Sequence, residues 1–274
     1  MGTILQLLIS GIAMGFIYAL VAIEYTLIWN STGLLNFSHD KIITVGAYIF
    51  AATFIIKFNM NKPLAIVLTF MLMGILGSVI ASGIFNPLRH MRSNIFAVMG
   101  TMMLGRILAE AIRLIYGPVP FTIENWLSGT IKIGTLMVTK ANVIICVVAI
   151  LVVAALQLFM NFTKIGKAMR CVAQNICVTT AVSSIICSVI GMLIIPLFNI
   201  STTMAASIGL KGFSAGVIGG FGYLPGAILG GLFIGVVENL AVVVLPAVYK
   251  DIVSFVLLII FLLVHPSGFL GKKA

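Results

Sequence analysis

Charged residues are so sparse along this chain that the apolar runs between them already mark out elements. A helix needs about 20 apolar residues to cross the hydrocarbon core of a bilayer. Residues 1–23 hold no charge and the apolar run continues past Glu24 to Trp29, which predicts a first span closed by the turn cluster Asn30-Ser31-Thr32-Gly33. Residues 34–56 are apolar except at Asn36-Phe37-Ser38-His39-Asp40-Lys41, so a broken lead-in and then a second span are expected there. Residues 63–88 predict a third span, ahead of the basic loop Arg89-His90-Met91-Arg92, and residues 94–116 a fourth. The more polar stretch 117–140, opening with Gly117-Pro118-Val119-Pro120, reads as an external loop with a short interfacial helix around Trp126. Residues 141–162 predict a fifth span, and Lys164, Lys167 and Arg170 follow as the largest cationic cluster between spans. Residues 171–210 carry no charge, enough for one span plus a re-entrant or short second one; 212–237 and 252–270 read as further spans. The expected fold is an all-α polytopic transmembrane bundle of about eight spans, with seven to nine admitted by the pattern and some helices broken.

Composition agrees. Of 274 residues, 61% are hydrophobic and 8% charged, and the mean hydropathy is +1.25. No soluble fold of this size hides that much apolar surface. A soluble enzyme, a disordered chain and a nucleic-acid-binding module are therefore excluded as starting points, and the lipid bilayer is the expected surroundings. The formal net charge of +10 is spread over loops, as the bias of cations toward the cytoplasmic side predicts. Arg89 with Arg92, Lys164 with Lys167 and Arg170, and Lys272 with Lys273 are expected on that side. The start Met1-Gly2-Thr3-Ile4 lacks a basic leader region, so the first apolar run is expected to stay in the protein. Residues 1–274 are read as a single transmembrane domain.

Candidate chemistry is thin. No GxxxxGK[ST] occurs, Gly166-Lys167 and Gly271-Lys272 complete no phosphate loop, and Gly219-Gly220-Phe221-Gly222 lacks dinucleotide-binding spacing. ATP hydrolysis and other enzyme activity are not expected of this chain. His39, His90 and His265 lie far apart, and no HExxH or GxSxG is present. Cys146, Cys171, Cys177 and Cys187 form no CxxC pair and read as small apolar residues, so no metal and no cofactor are expected. Arg106, Glu110 and Arg113 share one helical face and read as a structural ion cluster near the outer end of the fourth span, or else as a polar lining of a transport path. Glu24 and Glu238 are the other acids within spans, and Lys211, set between glycines, is placed at a helix break. Ten glycines fall between Gly209 and Gly235, several four apart. That spacing lets membrane helices approach closely, within the chain or at a subunit interface, with a backbone-lined path as the alternative. The basic amphipathic stretch Asn161–Asn175 reads either as a plain loop or as a coupling helix that docks on a separate motor subunit. The whole cytoplasmic elbow is placed at about 161–182.

Several stretches resemble one family. Leu27–His39, followed by Val45-Gly46-Ala47-Tyr48, is similar to the signature of permeases of branched-chain amino-acid ABC importers. Asn86-Pro87-Leu88-Arg89, Gly166–Arg170 with Ala173-Gln174, Gly209–Phe213, Gly219–Gly222 with Pro225-Gly226-Ala227, Tyr249-Lys250-Asp251 and Pro266–Gly271 continue the likeness in order along nearly the whole chain. The resemblance implies a subunit of the bacterial inner membrane that pairs with a second permease, identical or homologous. It also implies two separate ABC ATPase subunits and a periplasmic binding protein that delivers leucine, isoleucine or valine. In such a machine the basic elbow residues Lys164, Gly166, Lys167, Arg170 and Ala173 are the candidates for coupling to the ATPase, and the polar groups at the broken helix, Asn36, Ser38 and His39, together with Lys211 and Gly212, are the candidates to flank the substrate path. Three features depart from the family pattern. Asp40 stands where glycine follows the His of N-F-x-H-G, Glu24 stands at a small or apolar position, and about 15–20 residues, over 20 Å of helix, are missing near Ala181. Other readings stay open: a permease of the same superfamily for urea, short amides or sugars; a secondary transporter using Glu24, Arg106, Glu110, Arg113 and Glu238 as an ion relay; and an inactive shortened paralogue.

Overall fold

The computed structural model describes residues 2–89, 94–123, 126–127, 129–133, 136–163, 176–265 and 268–270. Among these, seven helices are long and apolar enough to cross a membrane. Helix α1 spans Gly2–Thr32. Helix α2 spans His39–Tyr48 and continues as a π-helix over Ile49–Lys57. Helix α3 spans Lys62–Ile80 and runs on through a π-helical turn at Ala81–Phe85 to Asn86–Arg89. Helix α4 spans Asn94–Tyr116, α5 Lys140–Phe162 and α6 Ile176–Ile194. The short helix α7 covers Ala206–Gly219, α8 covers Leu224–Ala241, and the short α9 covers Lys250–Val264.

Three expectations need correcting. The span placed at 212–237 is two helices: α7 ends at Gly219, and Gly220 and Gly222, at φ 104° and 92°, form a turn before α8. These positive φ values suit glycine, and Pro225 then sits in the first turn of α8. The span placed at 252–270 begins at Lys250 and ends at Val264, after 15 residues. The interfacial helix around Trp126 is absent among the described residues: Trp126 and Leu127 lie in a bend, followed by an antiparallel hairpin of β1 (Thr130–Ile133) and β2 (Leu136–Thr139). The β-branched residues of these strands favour that extended pairing.

The chain divides into two compact units: Met1–Thr26 with Glu124–Ala155 and Ser207–Ala274, and Leu27–Ile123 with Leu156–Ala206. In the first, glycines bring helices into backbone contact. A methyl group on Gly15 would stand 2.9 Å from Leu232 Cα, and one on Gly235 would overlap the backbone of Gly15. Gly219 and Gly226 meet in the same way, as do Gly230 with Ala215 and Gly231 with Ala19. The glycine ladder therefore serves close helix packing inside this unit. Phe233, Phe261 and Phe269 stack edge to face beside it. The amides of Phe269 and Leu270 bond the carbonyls of Ile218 and Gly219, closing the C-terminal end of α7.

In the second unit α6 packs on α2 and α3 through small residues. A methyl on Gly46 would lie 2.7 Å from Ser188 Cα, and one on Gly191 would lie 2.6 Å from the Ile43 carbonyl. Helix α4 packs on α2 through its Ala97, Leu104 and Ile112 side. The buried Tyr48 ring meets the rings of Tyr116 and Phe121.

Candidate functional site

Two polar constellations stand out in these apolar surroundings, one in each unit. The first is the break between α1 and α2. Gly33 takes φ +69° and bonds back to the Trp29 carbonyl at 2.8 Å, which ends α1. Asn36, Ser38 and His39 are all buried here. The Ser38 amide and hydroxyl both donate to Asn36 Oδ1, at 3.0 and 2.6 Å. The amide N–H can only donate, so it fixes which way the Asn36 side chain points. The carboxamide Nδ2 is thereby left with no hydrogen-bond partner among the described residues. A buried donor in that state costs about 1–3 kcal/mol and is suited to a carbonyl, carboxylate or water oxygen. Thr101 of α4 pins the segment by accepting from the Phe37 amide at 3.2 Å. Asp40, the departure from the family pattern, sits in the first turn of α2 and pairs with Lys41 at 2.8 Å. Its charge is thus offset locally, at the helix end where an acid is favourable.

The second constellation was not foreseen as a unit. Lys211 lies inside α7, only 4% exposed. The expectation of a helix break at this lysine is corrected: its glycine neighbours give α7 close contacts, such as Gly212 against Val21, and the helix runs through. The ammonium meets Glu238 Oε1 of α8 at 2.7 Å and Asp251 Oδ1 of α9 at 2.7 Å. Tyr18 of α1 donates its hydroxyl to Glu238 at 3.2 Å, and the Ser254 hydroxyl donates to the same carboxylate at 3.0 Å. The Tyr18 ring lies 5.6 Å below the ammonium. Alongside, Lys250 donates to Asn239 Oδ1 at 3.0 Å. One lysine thus joins four helices of the first unit. Glu238 is satisfied on both oxygens, while Asp251 leaves 56% of its side chain exposed.

The remaining candidates fall out differently. Glu110 and Arg113 pair at 3.6 Å on the surface of α4, and Arg106 is exposed on the same helix. Glu24 is fully buried within α1. Lys164, Gly166, Lys167, Arg170 and Ala173 of the elbow lie outside the described residues, as do His90, Arg92, Lys272 and Lys273.

Seven helices long and apolar enough to cross a membrane, with an ion pair sequestered among them, define a multi-pass membrane protein. The chain belongs to the family described as the permease component of branched-chain amino acid transport systems, whose model matches residues 7–262. BraD of Pseudomonas aeruginosa, a high-affinity branched-chain amino acid transport system permease protein, is 30% identical over 295 aligned positions, covering 98% of this chain and 96% of BraD. LivH of Salmonella typhimurium, with the same description, is 28% identical with the same coverage. A probable LivH of the archaeon Methanocaldococcus jannaschii is 23% identical over 92% of this chain and 88% of its own. No solved structure matches the chain. The alignment with Salmonella LivH runs over 297 positions against 274 residues here, so at least 23 positions are occupied by the relative alone.

Proposed function

We propose that this chain is the membrane-spanning subunit of an ATP-driven importer that moves branched-chain amino acids delivered by a soluble binding protein. The observation that carries the reading is family membership across residues 7–262. The sequence carries no phosphate-binding loop, which supports placing the fuel step on separate ATPase subunits. In this reading the elbow at 161–182 receives the motion of the ATPases, and a second permease subunit completes the path. An amino acid with an aliphatic tail asks little of the channel beyond apolar walls and a few hydrogen bonds. Deleting the genes for the partner ATPases should abolish radiolabelled leucine uptake, and adding the binding protein to reconstituted complex should stimulate ATP hydrolysis. Uptake that persists without the ATPases sinks the proposal. The shortfall of aligned positions supports a second reading, a shortened paralogue that assembles without transporting. ATPases that co-purify with the chain yet show no stimulation by the binding protein would select it.

Within this function, Asn36 offers its Nδ2 to the passing substrate or to a water that accompanies it. Asn36→Leu should lower the rate of leucine uptake by about tenfold, equivalent to one lost hydrogen bond of about 1.4 kcal/mol. The amount of complex recovered by size exclusion should stay the same. Wild-type uptake at equal assembly would remove Asn36 from the path.

A further inference from the structure

The break between α1 and α2 lies half-way along a spanning helix. A methyl group on Gly105 of α4 would stand 3.5 Å from Ser38 Cα. Gly105 is ten residues from Ile95 and eleven from Tyr116, the ends of the α4 spanning segment, or about 15 Å from either end at 1.5 Å per residue. Thr101, one turn earlier on α4, accepts from the Phe37 amide at 3.2 Å. Non-helical backbone at that depth is confined to places buried in protein or lining a water-filled path, because its polar groups find no partner in lipid.

The end of α2 at this break is a surface of donors. Its N-cap, Ser38, makes no side-chain cap bond to the helix, and its hydroxyl is turned to Asn36 Oδ1 instead, at 2.6 Å. Helix α2 runs on as a π-helix to Lys57, so the positive pole of a long helix faces the break. The Ser38 amide donates to the same Oδ1 at 3.0 Å, which holds the Asn36 carboxamide over the start of α2. Its Nδ2, on a residue 1% exposed, has no hydrogen-bond partner among the described residues. Asp40, the acid in the first turn, is offset by Lys41 at 2.8 Å, and the Lys41 ammonium also donates to the Thr202 carbonyl at 3.4 Å.

We propose that the start of α2, together with Asn36 Nδ2, is the subsite for the carboxylate of the transported amino acid. The inference rests on the importer reading above and adds which end of the solute is recognised at this break. An aliphatic amino acid has three parts to offer. Its ammonium only donates and would meet a donor. Its tail neither donates nor accepts. Its carboxylate only accepts, and it carries the negative charge that a helix N-terminus favours. The orphaned Nδ2 and the helix pole converge on residues 36–39, so one carboxylate meets both.

The test uses the permease complex with all its membrane and ATPase subunits, in detergent and without binding protein. Its melting temperature is read with three solutes that share one hydrocarbon tail: leucine, isocaproate (leucine without its ammonium) and isoamylamine (leucine without its carboxylate). Leucine and isocaproate should each raise the melting temperature of the wild-type complex, and isoamylamine should not. Asn36→Asp keeps one oxygen for Ser38 and puts an acceptor where Nδ2 stands. In that variant the shifts with leucine and isocaproate should be lost, and isoamylamine should now stabilise. Asn36→Ala should lose the carboxylate-dependent shifts without gaining the amine, and with the wild-type series it decides the matter if Asn36→Asp fails to assemble. The subsite is overturned if isoamylamine stabilises the wild type as isocaproate does, if none of the three solutes shifts it, or if isocaproate stabilises Asn36→Asp or Asn36→Ala as it does the wild type. Any of these beside uptake that needs the ATPases removes the subsite and leaves the importer standing. The expected series beside uptake that ignores the ATPases keeps the subsite and removes the importer.

Discussion

Lys211→Met should destabilise the protein by about 3–5 kcal/mol, the cost of removing one partner from a buried ion pair. The lysine is the sole cation within 4 Å of Glu238 among the described residues, and Glu238 is 3% exposed. Without the ammonium, the carboxylate keeps the Tyr18 and Ser254 hydroxyls but no countercharge. The graded series is what makes the expectation specific. Asp251→Asn should cost least, because that side chain is more than half exposed and water takes over its solvation. Glu238→Gln should fall between, since Lys211 retains Asp251. Combining Lys211→Met with Glu238→Gln should recover most of the loss, because an uncharged amide between Tyr18 and Ser254 leaves no bare ion. Melting temperatures of detergent-solubilised protein, followed by fluorescence-detected size exclusion, give the ranking. A double variant as unstable as the sum of the single ones would show that Lys211 and Glu238 do not act as a pair.

The sequence carried much of this fold but little of this network, and the reason is physical. Spans are legible because crossing a bilayer demands long uncharged runs, and α3, α4 and α5 lie within two residues of the segments read at 63–88, 94–116 and 141–162. The break before α2 is legible for the complementary reason: Asn36, Ser38 and His39 interrupt an apolar run next to Gly33. The division between α7 and α8 is not, because glycine serves two purposes within a few residues. Gly212 and Gly219 allow close packing inside a helix, while Gly220 and Gly222 turn the chain at positive φ. Composition does not tell these apart. Lys211 and Glu238 are 27 residues apart and sit on different helices, so spacing rules for a single helix are blind to them. A signal was nevertheless present: two lone charges of opposite sign in apolar surroundings have each other as the cheapest partner. The hairpin also left a trace, in the β-branched residues on both sides of Gly134-Thr135.

Gly235→Val should be nearly as damaging as loss of the lysine, and for a connected reason. The added side chain would overlap the α1 backbone at Gly15 and near Gly11. Backbone cannot swing aside as a side chain does, so the helices must separate, at a cost of about 3 kcal/mol, the upper end of the usual overpacking range. Gly15 and Gly235 each stand one turn before a member of the ionic network, Tyr18 on α1 and Glu238 on α8. The glycine contact therefore sets the 3.2 Å reach between the Tyr18 hydroxyl and the Glu238 carboxylate. A steric change at Gly235 should thus be felt electrostatically at Glu238. Gly83→Val is the control, since a side chain there meets nothing within 4 Å. Two results are expected from the melting curves: a large loss for Gly235→Val beside little change for Gly83→Val, and a combined loss for Gly235→Val with Lys211→Met smaller than the two added together. Simple additivity would mean that packing and pairing are separate supports, and a Gly235→Val protein melting like wild type would mean that the two helices do not touch at this glycine.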